Sequence, residues 1–177
     1  MKIVNISDII DKEKRNNIIK NAFVNNLLDI SIKYSSDFTN AKVLRDFIID
    51  VSDFFCFSWT WKSRLTLIVD ELNNNAVEYW SLKNDINILR LKIIREEDLY
   101  DLSLEVEDSW KWEKHKTAKE MILLRNKKKL KWFFKNEWIR WRWLFMIIEK
   151  LVDELYFKDS ENWWLIVWIK KKINLGI

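Results

Sequence analysis

Proline is absent from this chain, glycine occurs once, and cysteine and histidine occur once each. Ordinary usage would give about 7% glycine and about 5% proline. Glycine takes left-handed backbone without steric cost, so its near-absence removes the usual residue for helix C-caps and left-handed turns. The single cysteine, Cys56, excludes an internal disulfide framework and points to a reducing, cytoplasmic setting. The N-terminus has no basic-then-apolar signal pattern, and no uncharged apolar run approaches the ~20 residues of a membrane span. No membrane partner is therefore expected. The net charge of +4 is too small by itself to imply a nucleic-acid partner.

What the chain has instead is tryptophan, 12 in 177 residues. The densest stretch, WIRWRWLFMIIEKLVDE from Trp138 to Glu154, places indoles among arginines just ahead of an apolar helical run. Hydrophobic residues make up 49% and charged residues 33%, and the length suits one domain with a real core.

Hydrophobic periodicity gives a coarse layout. Residues 7–27 read as a helix with Ser7 as its N-cap, and LDISIKYSS alternates like a strand. Residues 38–55 read as a helix, 56–62 as a loop because of their Ser and Thr, and 63–79 as a second long helix. Two strand-like runs follow, INILRLKIIR and LYDLSLEVED, joined by a charged turn. Residues 109–137 are polar and Lys-rich with some helical periodicity, and 142–153 are helical again. The chain closes with DELYFKDS and WLIVWIKKKI, a hairpin pattern. Grouped strands and grouped helices predict an α+β two-layer sandwich, a mainly antiparallel sheet with helices on one face.

Chemistry-bearing residues are few. Glu71 and Asn75 lie four apart in DELNNNAVEY and share a helix face, where a carboxylate and a carboxamide can hold a metal ion and orient a nucleophile. Such pairs also occur on ordinary solvated helix faces. Asp108 ends a strand in LEVEDSWKW and can accept a hydrogen bond from an exocyclic amine, or simply form a turn.

Replacing tryptophan by glycine repairs several local conflicts. VEDSWKW becomes D-x-G-x-G, WIRWRWL becomes G-x-x-G-x-G-L at a helix start, NWWLIVWIKK opens a strand with Gly-Gly, and VEYWS ends a helix with a glycine C-cap. Read this way, residues 29–173 resemble the GHKL ATPase/kinase superfamily, and most closely its anti-sigma factor serine/threonine kinases. The motifs stand in family order. They are an E-x-x-x-N-A box (Glu71, Asn75, Ala76), a D-x-G-x-G box (Asp108, with Trp110 and Trp112 at its glycines) and a G-x-G-L box (Trp141, Arg142, Trp143, Leu144). Seven tryptophans fall on family glycines: Trp80, Trp110, Trp112, Trp141, Trp143, Trp163 and Trp164. The hypothesis is codon reassignment, UGA read as glycine in the cell and written here as tryptophan, in line with the Asn-, Lys- and Ile-rich composition of a low-GC genome. The rival readings of the tryptophans are an aromatic surface for nucleic acid or membrane, and a plain aromatic core.

The resemblance implies a Bergerat-type, histidine kinase-like ATPase fold. It divides the chain into an N-terminal helical extension (1–28) and a GHKL-type ATP-binding domain (29–177) with a lid at 109–143. It implies ATP and Mg²⁺, with Asp108 on the adenine amine, Asn75 toward Mg²⁺, the backbone of 141–144 around the phosphates and Glu71 as general base. It also implies a small regulatory substrate protein of the anti-anti-sigma type, a sigma factor as a second partner, and a homodimer. Between Lys111 and Trp143 there are twelve Lys or Arg against three Glu, an excess of nine positive charges in a chain of net +4, so the remainder carries about −5. Arg140 and Arg142 are the best candidates to touch phosphate, while the LLRNKKKLKWFFK run fits nucleic acid as a second choice. The family pattern is not followed throughout. The first box ends in Tyr79 where His is frequent, Leu165 follows Trp164 where the family has Thr, and the lone His115 leaves no upstream phosphoacceptor histidine. With genuine tryptophans, the expected function is instead a non-catalytic partner- or nucleic-acid-binding module of the same fold.

Peptide mass spectrometry of the protein from its own cells, across residues 137–150, is expected to give glycine masses at 138, 141 and 143. Tryptophan masses there would remove the phosphate loop.

Overall fold

A computed structural model of the chain describes residues 1–80, 85–108, 117–130, 149–161 and 165–174. In chain order its elements are β1 (Lys2–Asn5), a 3-10 turn (Ile6–Ile9), α1 (Lys12–Ala22), β2 (Phe23–Val24), β3 (Leu27–Ser35), α2 (Asn40–Phe54), α3 (Trp59–Asn75), a π turn (Ala76–Trp80), β4 (Ile86–Glu96), β5 (Leu99–Glu107), α4 (Ala118–Leu130), β6 (Glu154–Asp159) and β7 (Leu165–Asn174). Among the described residues the seven strands form one open sheet in the order β1-β3-β4-β5-β7-β6, with β2 paired to the edge of β3. Only β1 runs parallel to its neighbour, so the sheet is mixed but mainly antiparallel, and the architecture is α+β.

Alternation along the central strands builds the layers. Ile30, Leu91, Leu104, Ile169 and Leu155 stand opposite one another across five strands, and Ile32, Leu89, Val106, Val167 and Phe157 form the next rung. Both rungs are buried in one core with Leu44, Phe47, Ile48 and Val51 of α2 and Leu65, Ile68, Val69 and Leu72 of α3. The alternate positions carry charge instead. Arg90 is clamped by Glu105 and Glu107 of β5, and Tyr156 stacks on Trp168 at 4.4 Å.

The chain makes its turns without glycine. Asn25 and Asn26 take φ of 51° and 62° between β2 and β3, the left-handed pair a two-residue hairpin needs. Residues 7–27 are therefore not one helix. Ser7 lies in the 3-10 turn, Asp11 caps α1 by accepting from Lys14 N, and the hairpin follows at once. At the end of α2, Cys56 takes φ 53°, with Cys56 N bonded to Asp53 O and Phe57 N to Ser52 O, a Schellman cap with cysteine in glycine's place. Glu97 (φ 25°) turns β4 into β5. The stretch read as a loop at 56–62 already belongs to α3 from Trp59, because Ser58 caps the helix on Trp61 N.

Residues 1–28 are built into the fold. β1 extends the sheet and α1 packs on α2 and β3. Arg15 locks this corner: its Nε donates to Asp50 of α2 at 2.6 Å and its Nη1 to the carbonyls of Ile9 and Ile10. In the Lys-rich stretch, α4 starts on a capping box between Thr117 and Glu120. It is tied to edge strand β6 by Ala118 N on Asp159 and Arg125 on Leu155 O. No described helix is long and apolar enough to cross a membrane.

The side chains of Arg15 and Asp50 are only 7% and 5% exposed. Removing one partner strands the other, so Arg15→Ala is expected to lower unfolding free energy by about 3–5 kcal/mol in urea titrations. The double replacement Arg15→Met/Asp50→Leu should recover most of that loss. A loss under about 1 kcal/mol for Arg15→Ala would remove this pair from the role of corner lock.

Candidate functional site

β3 and β5 finish, and β4 and β7 begin, at the same end of the sheet. α3 and the π turn that ends at Trp80 come just before β4 in chain order. The topology therefore gathers Asp108 and Leu165 from distant parts of the sequence.

The inward-facing positions change character at this end. Going up β3 they are Leu28, Ile30, Ile32 and then Tyr34. On β4 they are Ile93, Leu91, Leu89 and then Asn87, and on β5 Leu102, Leu104, Val106 and then Asp108. Tyr34 pairs with Asn87, and Asp108 follows the Ile88–Glu107 pair, so the three polar residues share the last rung. They are 1%, 0% and 1% exposed, against an otherwise apolar inner layer. Burying such groups is unfavourable unless each finds a partner, so a polar rung here calls for a reason.

Asp108 is bound to the neighbouring strand. Its Oδ1 accepts from Leu165 N at 3.2 Å, and its own N donates to Leu165 O at 3.3 Å. One carboxylate oxygen thus fixes the start of β7 beside the end of β5. Tyr34 is held neutral, its phenol raised above the ordinary value of 10.0 first by complete burial and then by the Asp108 charge.

On α3, Glu71 is half-buried and Asn75 fully buried, one turn apart as the spacing predicts. Asn75 Nδ2 donates back to the carbonyl of Glu71, which leaves the amide oxygen as the acceptor of that side chain. Asn73 is buried as well, and its amide has no hydrogen-bond partner among the described residues. No group of three or more His, Cys, Asp or Glu is gathered for a metal among the described residues. A site with one amide oxygen suits Mg²⁺, which keeps its waters and shares phosphate oxygens, better than a metal caged by protein ligands alone.

Trp110, Trp112, Arg140, Trp141, Arg142, Trp143, Leu144, Trp163, Trp164 and His115 lie outside the described residues, as does most of the lid at 109–143. Of the seven proposed glycine positions only Trp80 is described, at the end of the π turn that closes α3. None of the four described non-glycine residues with positive φ is a tryptophan. Trp61 and Trp168, outside the seven, hold cations over their rings: Arg64 at 4.9 Å and Lys171 at 5.2 Å for Trp61, Lys170 at 5.2 Å for Trp168.

Tyr34, Asn73 and Asn87 were not among the residues singled out from sequence. A usable signal existed for two of them: in LDISIKY and INILRLKIIR, the inward parity ends on Tyr and Asn after a run of Leu and Ile. No protein-family model matches the chain, and no curated protein matches it.

Tyr34 makes a pH prediction. Above about pH 10 the unfolded chain releases this proton while the folded chain keeps it, so the folded state binds more protons and stability falls as pH rises. Comparing wild type with Tyr34→Phe in urea titrations between pH 8 and 11.5 should show a flatter decline for the variant, by up to about 1.4 kcal/mol per pH unit. Parallel profiles would mean that the phenol ionises normally.

Proposed function

We propose that this chain is an ATP-dependent Ser/Thr protein kinase of the anti-sigma type, on a Bergerat-type GHKL domain. The observation that carries the reading is the polar rung. Asp108 and Asn75, picked from separate motifs, are both buried, and Asp108 stands with Tyr34 and Asn87 at one end of an otherwise apolar inner face of the sheet. The α+β architecture and mainly antiparallel sheet agree with it.

In this reading Asp108 accepts from the adenine amine, and its ligation to Leu165 holds it in place. Asn75 would hold Mg²⁺ through its amide oxygen, and the ion would supply charge neutralisation. The backbone of 141–144 and the guanidiniums of Arg140 and Arg142 would hold the phosphates, given glycine at 141 and 143. Glu71 takes the proton of an incoming Ser or Thr hydroxyl as its oxygen bonds to the γ-phosphorus and ADP leaves. The substrate is a small regulatory protein, with a sigma factor as a second partner.

A second reading, a non-catalytic binding module of the same fold, is favoured by one feature. Asp108 already serves a structural bond between strands. Two variants of the glycine-restored chain separate the readings. Glu71→Ala is expected to reduce phosphoryl transfer about 10²–10⁴-fold while MgATP affinity stays within about twofold. Asp108→Ala should abolish ATP binding. Full transfer by Glu71→Ala would reject Glu71 as the base, and a glycine-restored chain with Glu71 and Asp108 intact that is blind to millimolar MgATP would reject the kinase reading altogether.

A further inference from the structure

We infer that the outer face of the sheet at β6 and β7, built around the stacked rings of Tyr156 and Trp168, binds single-stranded nucleic acid. Side chains alternate across a strand, so these two rings lie on the side opposite Leu155, Val167 and Ile169, which are buried in the core with the helices. Asp108 stands on the inward row, so this face is separate from the proposed nucleotide site and does not rest on it.

Tyr156 and Trp168 are paired directly across β6 and β7, with ring centroids 4.4 Å apart and planes 19° from parallel. Level with them on β5 and β4 stand Glu105 and Arg90, ion-paired to each other, and one step on stand Ser103 and Lys92. The aromatic pair is therefore set beside polar neighbours. A cross-strand aromatic pair strengthens a sheet modestly. A pair screened from water would serve that purpose as well, yet Tyr156 is 43% exposed on the edge strand. A ring stack that ends in an accessible tyrosine is a platform on which an unpaired base adds the next layer.

Cations line the same track. Lys158 stands one outward step from Tyr156 in one direction, and Lys170 and Lys172 continue from Trp168 in the other. With a rise of about 3.3 Å per residue, the run from Lys158 to Lys172 spans roughly 20 Å. Lys158 and Lys172 are exposed, and the ammonium of Lys170 lies 5.2 Å from the centre of the Trp168 ring. Glu154 and Asp101 oppose Lys170 and Lys172. The balance is tipped by α4, which is tied to the same edge strand through Ala118 and Arg125 and carries Lys119 and Lys127 to Lys129 in its sequence against Glu120 alone. Rings interleaved with ammonium groups match a polymer of alternating bases and phosphates. An acidic protein would use the ammonium groups and leave the rings without a role.

Stacking selects single strands. A base within a duplex has both faces covered by its neighbours, whereas an unpaired base offers a π-face whatever its identity. The lysines add a sequence-independent attraction that weakens with salt, because each phosphate contact releases counterions.

The test is fluorescence anisotropy of labelled oligo-dT and oligo-U, each of about twelve nucleotides, on the full chain. Trp168 is outside the seven glycine candidates, so the platform is the same with tryptophan as written or glycine restored. Binding of either oligomer carries the inference, and the two arms tell DNA from RNA. Tyr156→Ala is expected to weaken binding about 5–100-fold, while Tyr156→Phe, which keeps the ring, stays within about twofold. Lys170→Gln should lower the slope of log affinity against log salt by about 0.7. Circular dichroism of each variant separates a folding defect from loss of the platform. Absence of binding at about 100 μM would overturn the inference, as would equal affinity for a duplex of the same length. So would unchanged affinity in both Tyr156→Ala and Lys170→Gln, which would move the contact to another part of the chain. Displacement by poly-glutamate as readily as by unlabelled oligo-dT would make this an acidic-protein surface instead.

Discussion

The register between β4 and β5 is the constraint on which the rest of the molecule depends. Leu91 opposite Leu104 and Leu89 opposite Val106 place Leu89, Leu91 and Ile93 of β4 and Leu102, Leu104 and Val106 of β5 against the helices, while Ile86, Ile88 and Ile94 take the opposite face. Because side chains alternate with a period of two, a slip of one residue would turn Leu89, Leu91 and Ile93 to the outside and bring Arg90 and Lys92 into the core. The same register decides which residue of each strand comes last on the inward face. Asp108 is buried at the end of the sheet because it stands two residues beyond Val106 and four beyond Leu104.

Much of this layout was legible in the sequence, and particular residues show why. LDISIKYSS and LYDLSLEVE alternate because one face is buried and the other is not, INILRLKIIR does so from Leu89 to Ile93, and the three runs are β3, β5 and β4. α2 was legible from the spacing of Leu44, Phe47, Ile48 and Val51. KIVN was not, since four residues paired in parallel to a distant strand leave no local pattern. The start of α3 was misread because Ser58 and Thr60 suggested a loop, whereas Ser58 is the cap and Thr60 sits within the first turn. At the site, the pairing of Glu71 with Asn75 followed from helical spacing alone. The burial of Asp108 beside Tyr34 and Asn87 needed the sheet order, which residue spacing does not carry.

The scarcity of glycine takes on a definite shape. Where the described backbone is left-handed, the chain uses Asn25, Asn26, Cys56 and Glu97. Asparagine bears that conformation at low cost, while Cys56 and Glu97 bear it under strain. Tryptophan is used at none of these places. Trp61 is instead gripped between two cations, as a genuine indole would be. Of the seven tryptophans proposed as glycines only Trp80 lies among the described residues, while Trp61 and Trp168 serve as cation-binding rings.

The reciprocal bonds between Asp108 and Leu165 have a consequence for connectivity. Asp108 is the last residue before segment 109–116, and Leu165 the first after segment 162–164. Two points of the chain 57 residues apart are thus fixed to one another by a pair of bonds. Whatever repositions Asp108 also moves the root of the β6–β7 connection. The pair is thus a rivet between strands: the end of β5 and the start of β7 shift together or not at all.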